Sequence, residues 1–131
     1  MEAKEFLKRI RKIDILIDNK QREIDKLKRL YLVNKACGNT EANELEEYEC
    51  QLTNQIFYLL ETKREVQNII DQLQDAELID ILYKRYFDYK SWETIASDLF
   101  VTFQWVHKLH ARALNEVQRL LDLKGQEWLK L

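Results

Sequence analysis

Ser91-Trp92-Glu93-Thr94-Ile95-Ala96-Ser97-Asp98-Leu99-Phe100-Val101-Thr102-Phe103-Gln104-Trp105-Val106-His107-Lys108-Leu109 carries two helix starts separated by one break. Ser91 and Thr102 are hydroxyl residues ahead of helix-forming runs, where a side-chain oxygen accepts from a free backbone N–H of the first turn. In the first run Ile95, Ala96 and Leu99 share a face, and Ala96 is small enough to let another helix approach closely. In the second, Val106, Leu109, Ala113, Val117 and Leu120 form one apolar face. The spacing predicts a short helix, a tight turn at Phe100-Val101, and a longer helix from Phe103 to about Leu123 with a polar outer face.

Upstream, Asp75-Ala76-Glu77 opens another helix with acids in its first turn, and Leu78, Ile79, Leu82 and Tyr86 give it an apolar face. Phe87-Asp88-Tyr89-Lys90 interrupts it, so three helices are expected to close a small core. Further back, Phe6, Ile10, Ile13, Ile17, Ile24, Leu27 and Tyr31 recur in steps that keep one stripe, with Lys20 inside it. A second stripe runs through Leu45, Leu52, Leu59, Val66 and Leu73, with Tyr48, Ile56 and Ile70 beside it. Between them Gly38 suits a helix end and Thr40 a helix start.

The expectation is an all-α chain, with a long antiparallel, coiled-coil-like helical hairpin over residues 1–74. A small three-helix domain of helix-turn-helix form follows over 75–124, then a short tail over 125–131. Charge supports pairing of the long helices: residues 1–36 hold 11 basic and 6 acidic side chains, and residues 37–81 hold 2 and 11. Ile15, Leu16, Leu30, Leu32, Phe57, Tyr58, Leu60 and Ile69 fall outside the main stripes and call for a further cover. A second copy of the chain is the preferred one, which makes Phe6, Ile10, Ile13, Ile17, Leu52, Ile56, Leu59 and Val66 the candidate seam or dimer residues.

Composition narrows the function classes. The 131 residues include no Pro and two Gly, with 34% charged and 46% apolar residues, a mixture suited to amphipathic helices. No run approaches the roughly 18 to 20 apolar residues of a membrane span, and Met1-Glu2-Ala3-Lys4 lacks a signal-peptide apolar stretch, so a cytoplasmic protein is expected. Cys37 and Cys50 have no metal-ligand spacing and read as reduced thiols. No phosphate loop, carboxylate pair or nucleophile with a base is present, so neither an enzyme nor a cofactor, metal or small-molecule substrate is expected.

Tyr83-Lys84-Arg85-Tyr86, Ser91-Trp92-Glu93-Thr94-Ile95-Ala96, Val101-Thr102 and Val106-His107-Lys108-Leu109-His110-Ala111-Arg112-Ala113-Leu114 resemble region four of bacterial sigma factors, over about residues 76 to 121. The whole chain resembles small phage and prophage proteins of Gram-positive bacteria that join an N-terminal helical hairpin to such a domain. The resemblance implies a phage-type transcriptional regulator in a bacterial host cell, binding double-stranded DNA in concert with RNA polymerase. By the same resemblance Phe103, Gln104, His107 and Lys108 face the groove and Arg112 the DNA backbone. Periodicity separately sets Gln104, His107, Lys108 and Arg112 opposite the apolar face. Lys84, Arg85 and Lys90 are candidates for further phosphate contacts.

Phe100 stands where many helix-turn-helix proteins have Gly, and Phe103 and Trp105 where relatives are often polar or basic. Fewer cations mean weaker phosphate attraction, so a dimer or RNA polymerase is expected to assist binding. His107 and His110 are expected on the polar or DNA-facing surface, Trp92 in the core, and Trp128 against the tail. Trp105 has a partly outward phase open to DNA, the hairpin or a partner. The clusters Lys8, Arg9, Arg11, Lys12 and Lys26, Lys28, Arg29 read as solvated faces paired with interleaved acids. The alternative function is a protein-interaction module whose helix-turn-helix no longer binds DNA.

Overall fold

The computed structural model describes residues 2–36 and 42–129, and every regular element among them is helical. The chain is all-α. Helix α1 is Ala3–Ala36, α2 Ala42–Asp71, α3 Ala76–Leu82, α4 Trp92–Leu99 and α5 Phe103–Leu129, with a π-helical turn, Tyr83–Phe87, continuing α3. Cys37, Gly38 and Thr40, where the first turn was expected, lie outside the described residues. None of the described helices is long and apolar enough to cross a membrane.

Packing divides the chain into two compact units: residues 12–63, and residues 1–11 with 64–131. In the first, segments of α1 and α2 pair through Ile24, Leu27 and Leu52, flanked by the half-buried Leu45 and Ile56. Asp14 meets Lys63 at 2.7 Å, Lys20 donates to Gln55 at 2.6 Å, and Lys28 lies 3.8 Å from Glu49. Partner numbers fall as α1 numbers rise, so the two segments run antiparallel. Lys20, the polar member of the stripe, keeps its ammonium hydrogen-bonded at the edge. Solvent-accessible pairs such as Lys28–Glu49 contribute at most about 1 kcal/mol each, so the apolar seam is the main support of the pairing. Ile17, Ile56 and Leu59 are half-buried, whereas Phe57 and Tyr58 are 60% and 70% exposed, apolar surface that nothing within this unit covers.

The other unit holds the larger core. Leu7 and Ile10 from the start of α1, Ile70 from the end of α2, and Ile81, Leu82, Ile95, Val106, Ala113 and Val117 are all fully buried. Helices α3 and α4 both pack on α5. Three of the expected seam residues, Phe6, Ile10 and Val66, therefore belong to this core and not to a seam separate from the C-terminal helices. One apolar stripe on each long helix serves both cores, which is why sequence periodicity shows no boundary. At the start of α1 the Ala3 N–H, free of an intrahelical partner, donates to Gln118 Oε1 at 2.8 Å.

The caps predicted at Ser91 and Thr102 form: Ser91 Oγ accepts from Thr94 N at 3.2 Å and Thr102 Oγ1 from Trp105 N at 3.1 Å. Asp75, expected only as an acid of the first turn, is the cap of α3, its carboxylate accepting from Glu77 N at 3.0 Å. Helix α4 ends in a Schellman closure: Val101 N bonds Ala96 O at 3.1 Å and Phe100 N bonds Ser97 O at 3.3 Å. Phe100 occupies the left-handed position at φ 56°. Helix α5 does not stop near Leu123 but continues through Gly125 to Leu129. A lone helical Gly costs about 1 kcal/mol, too little to end a helix flanked by good helix formers. The Trp128 side chain, expected against a tail, lies outside the described residues.

Phe100 is 95% exposed, so its ring contributes no packing while its Cβ strains a left-handed backbone. Phe100→Gly should raise unfolding stability by about 0.5–1 kcal/mol. Urea titration checks this, and an unchanged or lowered midpoint would contradict it.

Candidate nucleic-acid interface

The π-helical turn determines what faces α5. Asp88 N bonds Tyr83 O and Lys90 N bonds Lys84 O, both at 3.0 Å, closing rings wider than those of an α-helix. The chain then leaves through Tyr89, which is left-handed at φ 57°. This exit turns Tyr86 inward, where its hydroxyl lies 2.8 Å from Nε2 of His110 in the buried interior. His110 is 7% exposed, so the expected surface role does not hold for it. It occupies the apolar face beside Val106 and Ala113, and its polar nitrogen is tolerated there because Tyr86 satisfies it.

Trp92 sits half-buried against the same core, as expected. Its ring lies 4.5 Å from that of His110 and 5.1 Å from that of His107, centroid to centroid. The Arg85 guanidinium stands 4.4 Å over it, and the Phe103 ring touches His107 edge-on at 4.4 Å. A continuous series of ring contacts thus links the π-turn to the first turn of α5.

Phe103, Gln104, His107, Lys108 and Arg112 are all exposed on α5, and Val106, Leu109 and Ala113 are buried on its opposite face. Trp105 is also outward, at 42% exposure. Arg112 borders a polar cleft with Asp75, Glu116 and Arg119. The cations expected from the preceding segment are less available. Lys84 is bonded to both carboxylate oxygens of Asp80 at 2.8 Å, and Lys90 to Asp98 at 2.8 Å. That pair holds the Asp98 carboxyl below its usual range. Lys84 and Lys90 are therefore each ion-paired with a neighbouring acid, whereas Arg85 donates to the Lys90 carbonyl at 2.9 Å.

Compared with known families, characterised proteins and solved structures, the chain matches none. Its chemistry is read from its own residues.

Among the described residues no three or more His, Cys, Asp or Glu side chains gather as metal ligands would. Burial pushes the His110 imidazole down to about 4, assisted by the positive charges of Lys4, His107 and Arg85. Burial likewise raises the Tyr86 phenol, against the opposing effect of Arg85. Tyr83, hydrogen-bonded to Asp71 at 2.8 Å, is pushed up to about 12 by desolvation and that carboxylate.

The depressed His110 value predicts a pH dependence. Between its ordinary value of 6.5 and about 4 the unfolded chain holds the proton and the folded one does not. The stabilisation is fully present above about pH 6.5 and is lost as pH falls toward 4, at up to about 1.4 kcal/mol per pH unit. His110→Gln retains a hydrogen-bond partner for Tyr86 but does not titrate. Its melting temperature should fall less steeply than that of the wild type over this range, and parallel curves would show that His110 is not the group responsible.

Proposed function

We propose that the chain is a phage-type transcriptional regulator that binds double-stranded DNA through α5. In this reading α4, the Phe100-Val101 turn and α5 are a helix-turn-helix of the sigma region four kind, and the antiparallel segments of α1 and α2 form a helical hairpin. The observation that carries it is the division of α5. A fully buried face fixes the helix on α3 and α4, and the opposite face presents Gln104, His107 and Lys108, whose groups can donate to base edges and phosphates. Thr102 caps the helix at the end that would enter the groove. A bacterial cytoplasmic setting belongs to the same reading.

The exposed apolar surface of residues 12–63 supports self-association, which would put two recognition helices on one duplex and raise affinity through effective concentration. A second reading has a specific observation behind it. Phe100, Phe103 and Trp105 are large, exposed and close in sequence, a composition that suits contact with a protein. RNA polymerase is the partner compatible with both readings. If the helix-turn-helix has ceased to bind DNA, the same aromatic surface makes the chain a protein-interaction module.

Selection of fragments from the genome that encodes the chain, with purified protein at two salt concentrations and with or without RNA polymerase, tests the proposal. One promoter-proximal fragment should be enriched, and more strongly at low salt. Lys108→Ala and Arg112→Ala should each weaken binding about two- to fivefold, the range of an exposed charge contact. Absence of enrichment under every condition would remove DNA binding and leave the protein-interaction reading.

A further inference from the structure

Beside the π-turn the larger unit contains a cleft of about 390 Å³, bordered by the first turns of α1 and the segment from Arg85 to Trp92. Its charged lining is Lys4, Lys8, Arg11 and Arg85, with no carboxylate among them. Among the described residues none of these four cations has an acid within ion-pairing distance. Lys8 and Arg11 were expected on a solvated face paired with acids. They occur instead where like charges converge.

The arrangement is held in place. Arg85 is fixed by the Lys90 carbonyl and the Trp92 ring, and the Arg11 guanidinium lies 5.8 Å from the centre of the Tyr89 ring. Tyr89 keeps a left-handed backbone that a residue with a side chain adopts at a cost. Four cations that converge on one cleft without an acid among them make a positive local field that favours an anion there.

The spacing indicates which anion. Lys4, Lys8 and Arg11 follow steps of four and three along one helix face and extend over about 10 Å at 1.5 Å per residue. About 10 Å of duplex axis passes roughly three phosphates of one strand. A row of cations fits a row of phosphates better than the single cluster of a free nucleotide. Trp92 already has Arg85, His107 and His110 against its ring, so it is not available for a base to stack on. Through His107 the same ring adjoins the exposed face of α5.

We propose that this cleft is a phosphate clamp, in which Lys4, Lys8, Arg11 and Arg85 hold the sugar-phosphate backbone beside the groove that α5 enters. The inference rests on the DNA-binding reading and adds to it the N-terminal turns of α1. The clamp supplies the phosphate contacts that Lys84 and Lys90, paired with acids, do not.

The test measures binding by fluorescence anisotropy over a range of salt, on the selected fragment and on a random-sequence duplex. Wild type is compared with Lys8→Ala/Arg11→Ala, with the charge-retaining Lys8→Arg/Arg11→Lys, and with Lys108→Ala. Both α1 positions are exposed, and Ala favours helix, so the fold should persist. The Ala pair should lower the salt slope by about two and weaken both duplexes equally, leaving their affinity ratio unchanged. The charge-retaining pair should keep wild-type slope and affinity. An unchanged slope in the Ala pair, with Lys108→Ala still weakening binding, would overturn the clamp and leave the DNA reading standing. Equal loss in the Ala and charge-retaining pairs would also overturn it, by assigning these positions a structural role. If wild type binds no duplex at the lowest salt, both readings fall.

Discussion

The hydrogen bond between the Tyr86 hydroxyl and the His110 imidazole is the constraint on which the larger unit is organised. Two polar groups are buried among aliphatic side chains, and each would cost roughly 1–3 kcal/mol if left unpaired. They meet because the π-helical turn rotates Tyr86 inward, and a regular α-turn over the same residues would change that direction. The rotation also directs Arg85 toward Trp92, and Trp92 in turn lies against both histidines. One buried pair thus sets the position of a surface guanidinium and of the rings behind the exposed face of α5. It also explains why two histidines three residues apart differ so sharply in exposure: His107 is exposed, and His110 is buried against Tyr86.

A second organising fact is that the larger unit does not close with its three C-terminal helices alone. Helices as short as α3 and α4 bury little apolar surface, and small cores are marginal for that reason. Ala3, Phe6, Leu7 and Ile10 from one end of the chain and Val66, Ile69, Ile70 and Leu73 from its middle complete the core. The consequence is electrostatic as well as energetic, because the same turns of α1 that bury Leu7 and Ile10 carry Lys4, Lys8 and Arg11 at the cleft. A structural requirement thereby brings cations from α1 to the cleft beside the π-helical turn.

What the sequence made legible was local. Ser91 and Thr102 were readable as caps because capping depends on the residue and its immediate neighbours, and the buried face of α5 followed from spacing alone. Legibility stopped where long-range packing decides. His110 lies on the Val106–Ala113 face, but a titratable side chain on an apolar face counts as inside only once its partner is known, and Tyr86 is 24 residues away. The pairing of Lys84 with Asp80 sits at ordinary helical spacing and was within reach. That of Lys90 with Asp98 spans eight residues across a turn whose geometry depends on the left-handed Tyr89. The stripe through Phe6, Ile10 and Ile13 suggested one continuous hairpin because an apolar stripe records burial and does not record against what.

The distribution of unpaired charge bears on how such a chain would discriminate between DNA sequences. The exposed face of α5 offers few cations, so in the proposed reading little of its binding energy would be independent of sequence, and Gln104 and His107 would contribute mainly where they meet matching base edges. A domain of that kind alone would be selective but weak. In the proposed DNA-binding reading, cations on α1 would raise affinity for every sequence alike and leave the ratio between sequences to α5. A second copy, joined through the apolar surface of residues 12–63, would instead multiply both the affinity and the length of sequence read. The two devices are therefore separable in kind: the first steepens the dependence on salt at constant selectivity, and the second makes affinity depend on protein concentration.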